Sequence, residues 1–176
     1  MSAVDLDLLA SRIRDIPDYP KPGIIYKDIT PLLLDPVAFA MTIVGLAGQI
    51  GDLAVDKVVG IEARGFIFAA PLAYRLGAGF IPARKAGKLP GHSQSVDYEL
   101  EYGAETLEIH SGAIGAGDRV WIVDDVLATG GTAAATASLV ESFGGEVVGL
   151  GFLLELGFLN GAAALGDHRH ASLLCS

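Results

Sequence analysis

The stretch Arg119-Val120-Trp121-Ile122-Val123, continued by Asp124-Asp125-Val126-Leu127-Ala128-Thr129-Gly130-Gly131-Thr132, decides how this chain reads. Its first five residues predict a buried strand, set off by the turn Gly115-Ala116-Gly117-Asp118. The Ala-rich segment 131–143 predicts a helix, closed by Gly144-Gly145. In an open α/β sheet, ligands bind beyond the carboxyl ends of the strands, and this strand delivers Asp124 and Asp125 to that edge. Glycines let backbone N–H groups approach an anion, Thr129 and Thr132 offer hydroxyls, and the helix N-terminus adds a favourable dipole. The two aspartates repel a phosphate, so they suit hydroxyls carried on the same ligand. A sugar with a free diol and a 5-phosphate fits this order. A nucleoside triphosphate does not, because the Walker lysine and the dinucleotide glycine pattern are both missing. The plain alternative is an ordinary strand-to-helix turn with solvated aspartates. Two acids after a buried strand, followed by Thr-Gly-Gly-Thr, argue against it.

Working outward, strands alternate with helices over most of the chain. Residues 57–62, 80–83, 106–110, 147–154 and 171–174 read as strands, and 65–75 as a helix ending at Gly77. Residues 36–50 read as a helix with Asp35 as N-cap and Pro36 in the first turn. Apolar spacing predicts a short amphipathic helix over 5–15, and the prolines at 17, 20 and 22 predict an extended loop after it. Residues 85–100 are polar without a settled period and read as a mobile loop. The pattern predicts one doubly wound α/β domain over 1–176, with a mostly parallel central sheet flanked by helices. A flexible segment of about 85–105 lies within it.

Composition narrows the function. The chain has 176 residues, and a net charge of −9 excludes a broad nucleic-acid surface. The positive charge is local, however: Arg64, Arg84, Lys85 and Lys88 lie close together in sequence, as a pocket for a small polyanion requires. Cys175 is the single cysteine, which excludes an intrachain disulfide and predicts a reducing, cytoplasmic setting. The N-terminus has no secretory pattern, and no apolar run is long enough for a membrane helix. The four histidines show no metal-ligand spacing.

The 123–132 stretch resembles the phosphoribosyl-diphosphate signature of the type I phosphoribosyltransferases. Further motifs occur in order: Pro17-Asp18-Tyr19-Pro20-Lys21-Pro22-Gly23-Ile24, Tyr26-Lys27-Asp28-Ile29-Thr30-Pro31, Ala63-Arg64-Gly65-Phe66, Arg84-Lys85-Ala86-Gly87-Lys88-Leu89-Pro90-Gly91 and Leu100-Glu101-Tyr102-Gly103. Together, over about residues 10 to 156, they resemble the adenine branch of that family.

The resemblance implies a glycosyltransferase of purine salvage, which moves the 5-phosphoribosyl group from phosphoribosyl diphosphate to adenine and gives AMP and diphosphate. It implies that Asp124 and Asp125 hold the ribose hydroxyls, that Thr129, Gly130, Gly131 and Thr132 anchor the 5-phosphate, and that Leu127 and Ala128 also belong to the substrate-binding residues. Arg64, with Ala63 beside it, and Lys85 and Lys88 would meet the diphosphate, and a cis peptide would stand directly before Arg64. Tyr26 would stack on the base, with the backbone of Ile25 and Lys27 reading its edge. Glu101 would accept the proton that adenine loses, and Tyr102 would close over the site with it. Magnesium would arrive with the diphosphate, held mainly by substrate oxygens and water. A homodimer is implied. Relatives acting on 6-oxopurines commonly carry an acid where this chain has Ala128, which favours adenine. The alternatives are transfer to another purine base, or a phosphoribosyl-diphosphate-binding regulator.

Overall fold

The computed structural model describes residues 4–100 and 103–176, with 99, 100, 103 and 104 through their backbone alone. The chain divides into two compact units, Met1–Gly45 and Leu46–Ser176.

In the first unit, helix α1 (Leu6–Ser11) starts at Asp5, whose carboxylate accepts the Leu8 N–H at 3.0 Å. The helix expected over 5–15 stops at Ser11. Pro17 disfavours helical backbone at Ile16, and the chain instead forms strand β1 (Arg14–Pro17), antiparallel to β2 (Ile25–Asp28). The register sets opposite charges across the ribbon. Arg14 faces Asp28 with an ion pair at 2.6 Å, and Asp15 faces Lys27 with one at 2.9 Å. A short helix α2 (Thr30–Leu34), not anticipated from sequence, follows. Helix α3 (Pro36–Ile50) begins as expected, since Asp35 accepts the N–H groups of Val37 and Ala38 at 2.9 and 3.2 Å.

The second unit is built on a seven-stranded sheet. Strands β3 (Lys57–Ile61), β4 (Gly79–Lys85), β7 (Arg119–Leu127), β8 (Glu146–Glu155) and β9 (His170–Cys175) run parallel in the order β4-β3-β7-β8-β9. Strands β5 (Ser93–Leu100) and β6 (Gly103–His110) extend the β4 edge antiparallel. The mostly parallel sheet flanked by helices is therefore the α/β architecture expected. One expectation fails: 93–100 is not a loop but a full strand of the β5/β6 hairpin. Its even-numbered side chains Val96 and Tyr98 pack on the core.

Helices cover the two faces. Val59, Ile61, Ile81, Ala83, Ile122 and Leu150 share one core with Ala133, Ala137, Leu139 and Val140 of helix α5 (Gly131–Ser142). Helix α4 (Gly65–Leu76) lies so close to β3 that a side chain at Gly60 would meet Ala69 Cβ at 2.7 Å. Helix α4 ends at Gly77, whose left-handed φ of 68° closes it. Burial of whole strands on both faces fits the continuous apolar runs 120–123 and 150–154.

Candidate active site

Strand β7 outruns its neighbour. Its pairing with β3 ends at Gly60–Val123, while its pairing with β8 continues to Leu127–Glu155. Past Val123, Asp124 and Asp125 therefore emerge where β3 gives way to the turn 62–64 and the start of α4. Gly65 makes this junction possible. A Cβ there would lie 2.8 Å from the Val123 carbonyl oxygen and 2.9 Å from Asp124 Oδ1, so only glycine lets α4 begin against the acidic pair.

Arg64 sits at the N-cap of α4, and its Nε lies 2.8 Å from Asp125 Oδ2. Asp124 Oδ1 accepts the Asp125 N–H at 2.9 Å. Burial pushes both carboxyls above the usual range. Asp124 rises well above it, because the Asp125 charge adds to its burial. Asp125 rises less, because the Arg64 guanidinium offsets part of the same penalty. The peptide before Arg64 is not the cis one: the cis bond is Glu62–Ala63, one residue earlier.

The loop 127–132 runs from β7 into α5. Gly130 holds φ at 82° on the N-cap, and no side chain caps the helix, which leaves the first-turn amides of α5 for a ligand. Asp124, Leu127, Ala128, Thr129, Gly130 and Thr132 line a small cavity of about 70 Å³. A segment beyond the last of the sequence motifs backs this loop. The 3-10 turn Gly161–Leu165 presses Gly161 against it, so that a side chain at Gly161 would overlap the Ala128 carbonyl oxygen. A side chain at Gly130 would overlap the Gly161 carbonyl oxygen in turn.

The cations expected around a diphosphate sit at the end of β4. Arg84 Nε lies 3.2 Å from Glu62 Oε2, and an Arg84 Nη donates to the Lys88 carbonyl oxygen at 3.0 Å. The Lys85 N–H donates to Glu62 Oε2 at 2.9 Å, while Lys85 Nζ pairs with Glu105 at 2.7 Å. Burial pushes the Glu62 carboxyl up, but the Lys85 amide and the Arg84 guanidinium outweigh it and hold it below the usual range. Sequence reasoning missed Glu62, Tyr98, Glu105 and Gly161. Alternation in Val96-Asp97-Tyr98 was the signal that could have found Tyr98.

Arg64, Lys85, Asp124, Asp125 and the loop 127–132 all belong to the second unit. Ile25, Tyr26 and Lys27 stand on β2 in the first. Tyr26 is half-buried and meets Tyr19 edge to face, with ring centroids 5.2 Å apart. Glu101 and Tyr102 lie outside the described residues.

Residues 25–167 match the family model described as the phosphoribosyl transferase domain. The chain is 58% identical over 166 residues to an adenine phosphoribosyltransferase of Alkaliphilus metalliredigens, covering 94% of this chain and 98% of that one. Among solved structures it resembles the adenine phosphoribosyltransferase of Thermoanaerobacter pseudethanolicus at a TM-score of 0.96 and 52% identity, over 98% and 100% of the two chains. The Saccharomyces cerevisiae adenine phosphoribosyltransferase, solved with an imino-altritol bisphosphate and adenine, matches at 0.90 and 40%, over 96% and 98%. The likeness thus runs past residue 156, where the sequence motifs stop, into the segment that backs the loop. This chain belongs to the phosphoribosyltransferase family, in its adenine phosphoribosyltransferase branch.

Proposed function

We propose that the protein transfers the 5-phosphoribosyl group of phosphoribosyl diphosphate to adenine, giving AMP and diphosphate, and that the two units act as one catalytic domain. The observation that carries this reading is the acidic pair Asp124–Asp125, held against Arg64 and followed directly by the glycine turn and open amides of α5.

In this reading the first-turn amides of α5, with Thr129 and Thr132, hold the 5-phosphate, a handle remote from the bond that breaks. Asp124 and Asp125 hold the ribose hydroxyls and stand near C1′ as positive charge develops there. Arg64, Lys85 and Lys88 stabilise the diphosphate as the C1′–O bond breaks and its electron pair leaves with oxygen. Adenine stacks on Tyr26, with the backbone of Ile25 and Lys27 reading its edge; such stacking contributes about 1–3 kcal/mol. Its N9 lone pair forms the new bond to C1′, and the N9 proton passes to Glu101. Glu101 and Tyr102 close over the site and exclude water. Ala63 and Leu127 shape the walls, and small, apolar Ala128 leaves no acid for a 6-oxopurine.

Magnesium enters with the diphosphate, whose charge it neutralises. In this reading it is held mainly by substrate oxygens and water.

A homodimer belongs to the same reading. Ile67, Ala70, Pro71 and Tyr74 form an apolar stripe at helical spacing on α4, with Tyr74 90% exposed. A second copy of this chain is its proposed cover, and Tyr74→Glu is expected to shift the mass measured by light scattering from dimer to monomer. Among the described residues no helix is long and apolar enough to cross a membrane. A reducing, cytoplasmic setting accords with the exposed free thiol of Cys175.

The test is turnover of phosphoribosyl diphosphate with magnesium and each of adenine, hypoxanthine, guanine and xanthine. Adenine alone should give nucleotide and diphosphate. Preference for another base would overturn the specificity, and no turnover with any base would overturn the reaction.

A further inference from the structure

A line of hydrogen bonds joins the end of β4 to the phosphate loop. Lys85 Nζ donates to Glu105 Oε1 at 2.7 Å, and the Tyr98 hydroxyl donates to Glu105 Oε2 at 2.9 Å. The Thr132 hydroxyl donates to the Tyr98 oxygen at 3.5 Å. Sheet register builds the line. Tyr98 faces Glu105 across the β5/β6 hairpin, and Lys85 faces Leu107, two residues along β6 and on the same side as Glu105. Both carboxylate oxygens of Glu105 are thus engaged, one by a cation assigned above to the diphosphate and the other by a phenol that touches the phosphate loop.

The pair is accessible. The side chains of Lys85 and Glu105 are 52% and 33% exposed, so solvent screens their attraction and an incoming anion can reach the ammonium. A carboxylate and a diphosphate compete for the same three N–H donors, and the diphosphate carries the larger charge. Each partner favours the other's charged form: Lys85 holds Glu105 below the usual carboxylate range, and Glu105 pushes Lys85 up. The carboxylate therefore occupies the ammonium throughout the neutral range until another anion displaces it.

We propose that Glu105 is a positioning residue that stands in for the diphosphate, holding Lys85 extended and Tyr98 turned toward Thr132 while the site is empty, and releasing Lys85 when the diphosphate arrives. This rests on the assignment of Lys85 to the diphosphate made above. The released carboxylate keeps the Tyr98 hydroxyl as its donor, so the hairpin stays tied to the loop while the cation changes partner.

The test is a double-mutant cycle in the full chain with magnesium. It measures KM for phosphoribosyl diphosphate at saturating adenine, and inhibition by inorganic diphosphate. Glu105→Ala should lower both constants by about two- to fivefold, the size of an exposed ion pair, with little change in KM for adenine. Glu105→Gln, which keeps the shape but has no charge and only one accepting oxygen, should move them in the same direction. In a Lys85→Ala background, Glu105→Ala should have no effect. Unchanged or raised constants for the single Glu105 variants, or a full-sized gain persisting without Lys85, would overturn the proposal while leaving the proposed function intact. Wild-type constants for Lys85→Ala alone would instead overturn the assignment of Lys85 to the diphosphate, and the proposal with it.

Discussion

Arg64 and Asp125 face each other across the junction of α4 and β7, with Nε and Oδ2 2.8 Å apart but out of hydrogen-bond alignment. The carboxylate that the guanidinium touches is almost wholly buried. The positive charge beside this buried acid is thus one that the start of α4 supplies.

The acidic pair should matter to turnover far more than to base binding. Asp124→Asn combined with Asp125→Asn is expected to lower kcat by about 10²–10³-fold, the range seen when transition-state electrostatics are removed. Adenine affinity by calorimetry should change little. Unchanged turnover would exclude the pair from the chemistry.

The same pair should reduce stability. Both carboxyls have raised values in the folded protein, so between the unfolded value of about 4 and the raised one the folded chain binds more protons. Stability from these groups is present at low pH and is lost as pH rises through the folded values. Asp124→Asn should therefore raise the melting temperature near neutral pH by about 2–6 °C, with the gain shrinking toward about pH 4. A melting curve lowered throughout would reverse the argument.

Asp28 works in the opposite sense. Hydrogen bonds from Thr30, with the Arg14 guanidinium at 2.6 Å, hold its carboxyl down at about 2. Its contribution is present above the unfolded value and is lost as pH falls toward about 2. Asp28→Asn should lower the urea midpoint near neutral pH, and the two proteins should converge in strong acid.

Gly161 should behave as part of the phosphate loop although it lies far along the chain. A methyl group there overlaps the Ala128 carbonyl oxygen, and relieving such overlap costs about 1–3 kcal/mol. Gly161→Ala is expected to raise KM for phosphoribosyl diphosphate by about tenfold or more, since 1.4 kcal/mol is a factor of ten. The KM for adenine should barely move. A uniform loss of folded protein would assign the glycine to stability instead.

Much of this was legible in sequence because several signals agreed at once. Val120 to Val123 are all fully buried, so a plain apolar run was enough to place β7 and, through it, Asp124 and Asp125. Pro36 and Asp35 fixed the start of α3 by covalent geometry and capping. The β1/β2 ribbon was not legible, because Arg14–Pro17 and Ile25–Asp28 are held by cross-strand charges and not by an apolar face. Strand β5 hid for a related reason: Gln94, Ser95 and Asp97 masked the alternation of Val96 and Tyr98. Glu105 and Gly161 carry no local signal. Each acts through a partner distant in sequence, Lys85 for one and Ala128 for the other.

The contact between Gly161 and Ala128 also sets an order of events during synthesis. Residues 127–132 leave the ribosome well before Gly161 does, and domains assemble as the chain emerges. Until the 3-10 turn 161–165 arrives, the Ala128 carbonyl lacks the Gly161 backbone that packs against it. On the proposed reading of this loop, a nascent chain that already holds β3, β4 and β7 still lacks the backing of its 5-phosphate anchor. That backing comes late, with the segment that joins β8 to β9.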